Sequence, residues 1–195
     1  MSKSSLRPII LSIAASALLV TTAQSEDRYL WNDFGLIGKN SDRYEIQLGL
    51  LSYDTGLFTH QDFNGAVLNG ELLFPSPDFL YRFGSPRPHI GFDAALVDDP
   101  IHFLYAGLTW DTYFTERLYL TTSLGGGITT ADNLENPTDY KALGCRALFH
   151  LGAGIGYDLT PNLTFQLYAD HFSNAGLCSP NNGAEAAGLR LGYRF

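Results

Sequence analysis

The sequence predicts an all-β protein, an eight-stranded antiparallel transmembrane β-barrel of the outer-membrane type. Three observations predict it. An apolar leader is followed by no further helical span, the composition is poor in charge and rich in aromatics and glycine, and eight alternating segments recur along the chain.

The leader reads MSKSSLRPIILSIAASALLVTTAQSEDRY. Lys3 and Arg7 form a basic n-region, Pro8 to Val20 is mostly apolar, and Ala23-Gln24-Ser25 supplies small residues at the −3 and −1 positions. That is the pattern of a secretory signal peptide over 1–25, cleaved after Ser25. A membrane anchor is the alternative, but the apolar core is short of the roughly 20 residues a spanning helix needs. Beyond Ser25, Gly, Pro or charge interrupts every apolar run within a few residues. An exported chain without a helical span is either soluble or a barrel, since only helices and closed barrels satisfy their backbone in lipid.

The 195 residues suggest one domain with room for a sizeable core. Charged residues make up 16%, against about 25% in soluble globular proteins. Aromatics make up 13%, and there are 20 glycines, which suits β-structure in contact with lipid. The balance of 12 basic to 20 acidic residues gives −8, and loss of Lys3 and Arg7 takes it to −10. Nucleic-acid binding calls for a basic patch and is excluded on that ground.

In order, the segments are RYEIQLGLLSY (43–53), AVLNGELLF (66–74), HIGFDAALV (89–97), IHFLYAGLTWDTYF (101–114), RLYLTTSLGGGIT (117–129), CRALFHLGAGIGY (145–157), NLTFQLYADHFSNAG (162–176) and EAAGLRLGYRF (185–195). Successive strand side chains point to opposite faces. The first segment thus sets Tyr44, Ile46, Leu48 and Leu50 against Glu45, Gln47 and Gly49. The second is the least regular. Strands of about ten residues, tilted, cross a bilayer, with short periplasmic turns and longer outer loops. Short links fall at 114–117 and 159–162, and longer ones at 54–65, 130–144 and 175–184. Two links break the rule: Asp98-Asp99-Pro100 is a short outer loop, and Pro75–Pro88 is a long periplasmic one. Residues 26–42 show no strand pattern and read as an N-terminal periplasmic segment, leaving 43–195 as the barrel. Gly152-x-Gly154-x-Gly156 has no following helix and reads as space inside a narrow barrel rather than a nucleotide loop. His60, His89, His102, His150 and His171 have no metal-ligand spacing, and no metal or cofactor is implied.

The seventh segment carries the chemistry. Leu163, Phe165 and Leu167 share a face with His171 and Ser173, and on the eighth segment Glu185 shares parity with Leu189, Leu191 and Phe195. Consecutive strands pair, so a Ser, a His and a Glu converge on the outside of the barrel near its outer rim. Desolvated polar groups cost free energy unless they are satisfied, which makes them partners of one another. A serine hydroxyl becomes a nucleophile when a base takes its proton, and a carboxylate on the far imidazole nitrogen orients that base. Polar residues at headgroup level, where a strand emerges into water, would carry the same residue types.

The stretch HFSNAG followed by PNNGAE, with GLTWD at 107–111 and the closing LRLGYRF, resembles the lipid A 3-O-deacylase (PagL) family. The likeness is strongest over 168–195. It implies an outer-membrane barrel with a Ser-His-Glu site on its lipid-facing surface, and His171, Ser173, Asn174 and Glu185 match the motif H-x-S-N with its downstream Glu. It implies Ser173 as nucleophile, His171 as base, Glu185 as its orienting carboxylate, and Asn174 and Asn181 as oxyanion donors. Asn182 is the neighbouring candidate for the second donor. The implied substrate is lipid A, within lipopolysaccharide, at the outer leaflet of the bacterial outer membrane. A structural or adhesive barrel, and a hydrolase or acyltransferase for another outer-leaflet lipid, remain alternatives. The residues leave the oligomeric state open, a homodimer included. Cys145 starts the sixth strand and Cys178 follows the seventh. Neighbouring strands bring them together at the rim, and an even cysteine count in an exported chain favours a disulfide over two thiols.

Overall fold

The computed structural model describes residues 28–30 (backbone only), 35–53, 65–98, 100–138 and 140–195. The expected signal peptide and its cleavage site, Asp99 of the short outer link, and most of the 54–65 loop with His60 lie outside these. Among the described residues there are ten strands: β1 (Arg28–Leu30), β2 (Gly35–Ile37), β3 (Glu45–Tyr53), β4 (Ala66–Leu73), β5 (Arg87–Leu96), β6 (His102–Tyr113), β7 (Leu118–Thr129), β8 (Ala147–Asp158), β9 (Leu163–Ser173) and β10 (Ala184–Arg194). Strands β3 to β10 each pair antiparallel with the next, and β10 pairs back onto β3. The eight alternating segments are therefore the eight staves of a closed barrel.

The pairing fixes the barrel's stagger. A row of directly opposed residues starts at Ser173 and runs through Phe149, Gly126, Ala106, Ile90, Leu72, Ile46 and Tyr193. It returns to β9 at Leu163, ten residues below its start. With about 3.3 Å per residue and about 4.8 Å between strands, eight strands at this shear tilt by about 40°.

The two faces differ as alternation requires. Outward, Ile46, Leu48, Leu50, Leu104, Leu124, Ile155, Leu167, Leu189 and Leu191 are exposed. Inward, the half nearer Phe195 and the end of β6 is a network of charges. Glu45 accepts hydrogen bonds from Arg87, Arg194, Gln47 and Thr164. Arg87 also reaches Asp111 at 2.6 Å, and Arg194 reaches Asp158 at 2.8 Å. Arg190 donates to Asn69, Gln47, Glu71 and Tyr105 and lies 3.2 Å over the Tyr168 ring. Buried charges are tolerated when paired and hydrogen-bonded in this way. The irregular β4 now has its reason: Asn69 and Glu71 point inward to receive Arg190, and the ring of Phe92 covers the outward Gly70. Toward the other end the interior turns apolar. Phe172 stacks on Phe103 at 4.3 Å and on His150 at 4.7 Å, and the loop residues Ala131 and Leu143 close over them. Gly152 and Gly156 face inward, where a side chain would overlap Tyr168 and Tyr119.

The N-terminal stretch is not featureless. β1 and β2 form a short hairpin, and β2 pairs with Tyr113 and Thr112 at the end of β6, beyond the reach of β5. The long 74–86 link holds a 3₁₀ helix, Asp78–Phe83, ended by Gly84 in the left-handed region.

Candidate active site on the outer rim

β9 leaves the membrane-facing band at its last two outward positions, His171 and Ser173. Their cross-strand neighbours on β8 are Leu151 and Phe149, both exposed. Glu185 stands directly opposite His171 on β10. The imidazole Nδ1 lies 3.3 Å from Glu185 Oε1. The histidine side chain is 18% exposed and the carboxylate 0%, so the imidazole and the loop above it cover the acid. With Nδ1 turned to the carboxylate, Nε2 is the nitrogen available to a reacting group. Ser173, two residues on, shares its face.

The 174–183 loop closes over this pair. Asn174 organises it. Its side-chain amide donates to the carbonyls of Leu143 (2.8 Å) and Pro180 (2.9 Å), and its carbonyl oxygen accepts from the backbone of Gly176 and Cys178. The Asn174 backbone N–H donates to Asn181 Oδ1 at 2.9 Å. Asn174 is buried, and its hydrogen-bonding groups serve the loop. Asn181 is exposed, and its amide nitrogen has no partner among the described residues. The loop is pinned to the end of the 130–146 loop. Asn182 N–H donates to the Ala142 carbonyl, and Cys145 and Cys178 are joined in a disulfide with their Cα atoms 5.9 Å apart.

Two features escape a reading of the sequence by motif. Gly183 has φ +68°, and a side chain there would stand 2.8 Å from His171 Cε1, so glycine lets the strand turn in against the imidazole. The Asn-Asn-Gly run marks a turn but not what it faces. The 142–144 segment, whose carbonyls hold the loop, has no signature beyond Gly144 (φ +68°), where a side chain would strike Pro180. Among the described residues no group of three metal-ligating side chains occurs.

Comparison with known proteins bears on residues 94–194, which match the family model described as Lipid A 3-O-deacylase (PagL). A curated relative, "Lipid A deacylase PagL" of Bordetella bronchiseptica, is 31% identical over 80 residues, covering 41% of this chain and 43% of the relative. The match thus spans less than half of that protein. Among solved structures, the crystal structure of the outer membrane enzyme PagL superposes with a TM-score of 0.58 at 15% identity, over 76% of this chain and 98% of that one. The N-terminal β-barrel domain of Pseudomonas aeruginosa OprF gives 0.54 at 13%, over 78% and 97%. At such identities the two superpositions speak for the fold: an eight-stranded outer-membrane barrel.

Proposed function

The chain belongs to the lipid A 3-O-deacylase (PagL) family, and from that premise we propose that it is an outer-membrane esterase releasing the 3-O-linked 3-hydroxyacyl chain of lipid A. The observation that carries the proposal is the His171–Glu185 pair at 3.3 Å with Ser173 on the same outward row. These groups sit at the rim of a lipid-facing surface, where an outer-leaflet ester meets them without leaving the membrane.

The chemistry follows from the placement. Ser173 Oγ attacks the ester carbonyl carbon and its proton passes to His171 Nε2. Glu185, buried behind the imidazole, holds it in the tautomer that leaves Nε2 basic and stabilises the imidazolium. Collapse of the tetrahedral intermediate expels the sugar 3-oxygen, which takes the proton from His171. Water, activated by the same histidine, then frees the fatty acid. Asn181 is the stronger of the two oxyanion candidates, because its amide N–H groups are available, whereas Asn174 commits its donors to the loop. On this reading Asn174 acts by presenting Asn181.

The test is lipid A mass spectrometry on outer membranes carrying the protein. The wild type should remove the mass of one 3-hydroxyacyl chain. Ser173→Ala and His171→Ala should leave lipid A intact while the barrel keeps its heat-dependent gel shift, and Glu185→Ala should retain residual turnover. Full activity of Ser173→Ala sinks the mechanism. Unaltered lipid A with every variant, wild type included, favours a non-enzymatic barrel. Conversion of a different lipid redirects the substrate.

A further inference from the structure

The long link between β4 and β5 breaks the rule of short turns at the end of the barrel that carries the N-terminal hairpin and Phe195. Its 3₁₀ helix, DFLYRF, does not bury its aromatics: Phe79 is 75% exposed and Phe83 68%, and Tyr81 is exposed beside them. Phenylalanines facing water at that level are unfavourable relative to an apolar setting.

The link is fastened to the outside of the barrel. Trp110 belongs to the outward row of β6, and its indole N–H donates to the Phe83 carbonyl at 2.8 Å. Gly84 packs against the same indole and against Ile37 of β2. The helix therefore lies on the lipid-facing wall rather than under the mouth.

Its depth follows from the register. Trp110 opposes Thr122, Thr122 opposes Ala153, and Ala153 opposes Ala169. Each step from β9 toward β6 descends by about 3 Å at a tilt of about 40°, and the four residues from Ser173 down to Ala169 add about 10 Å. Trp110 therefore sits roughly 20 Å below Ser173, close to the far edge of an apolar band about 25 Å tall. That is the level at which membrane proteins set aromatic belts.

We propose that the 79–83 segment is an interfacial foot, seated at the headgroup–acyl boundary of the phospholipid leaflet opposite Ser173. It continues the lipid-facing wall through Trp110 and resists vertical drift of the barrel. A single added thiol at each position reads this directly, since the two native cysteines are paired. Phe79→Cys and Phe83→Cys are spin-labelled separately in vesicles of phosphatidylethanolamine and phosphatidylglycerol. Leu167→Cys serves as the lipid reference and Glu116→Cys, in an exposed turn, as the water reference. Power saturation against oxygen and an aqueous nickel chelate should place both labels between the references, within about 5 Å of the phosphate level. Labels at 79 and 83 as open to nickel as the label at 116 overturn the foot. So does spin–spin broadening that grows with protein density, which would assign the patch to a second copy of the chain.

Discussion

At the scale of single residues, the site is a set of polar groups that the lipid face would penalise unless each had a partner. Glu185 is the extreme case, wholly covered on the outward side of a strand on which Leu189, Leu191 and Tyr193 are exposed. The sequence shows where His171, Ser173 and Glu185 fall because period two is a strong signal, but it does not show what Asn174 and Asn181 do. Asn174 is held by the carbonyl of Leu143, 31 residues away, and it holds Asn181 through its own backbone N–H; a backbone partner has no sequence signature. The arrangement separates the two asparagines experimentally. Asn181→Ala removes a proposed oxyanion donor and a single loop hydrogen bond, the one from Asn174 N–H, and should lower kcat by about 10²–10³ with little change in KM, the size usual for one such donor. Asn174→Ala removes four loop hydrogen bonds and should move kcat, KM and protease resistance of the loop together. Equal behaviour of the two variants would contradict the division of labour.

At the scale of elements, the strands were readable and the pieces between them were not. Each barrel strand begins and ends within three residues of its alternating segment, because a lipid face and a packed lumen reward alternation at nearly every position. Even β4 obeys once Asn69 and Glu71 are seen as ligands of Arg190. β1 and β2 are three residues each, too short to show a period, and exist because the end of β6 outruns β5 and offers unpaired backbone. The 174–183 loop depends on the end of the 130–146 loop, and the Cys145–Cys178 bond ties one to the other. Closing 33 residues is worth roughly 3–4 kcal/mol in the chain-entropy model. The barrel's own pairing does not depend on that bond. Cys178→Ser should therefore assemble normally and show its deficit as faster proteolysis of the loop and lower activity. Mass analysis of unreduced protein after thiol blocking checks the premise, since two blocked cysteines mean that no bond forms.

At the scale of the whole molecule, register determines orientation. A shear of ten over eight strands requires a mean tilt of about 40°, and polarised infrared spectroscopy of the amide I band in aligned bilayers should return that angle. A value near 30° would mean that the pairing in the membrane differs from the one described. No single segment shows the shear, since it is the sum of eight pairings and appears only when the ring closes.

The packed interior has an electrical consequence. From Arg194 and Glu45 at one end to Phe172 and Leu143 at the other, buried side chains of the described residues crowd the lumen, and ion pairs bridge it from strand to strand. The protein should be silent in a planar bilayer at 100 mV, where an open channel of even a few ångströms' radius gives discrete current steps. Reproducible steps from purified protein would show that the plug opens. If it is silent, the envelope can hold many copies without becoming more permeable to hydrophilic antibiotics, because the proposed chemistry uses the outer wall and not the lumen.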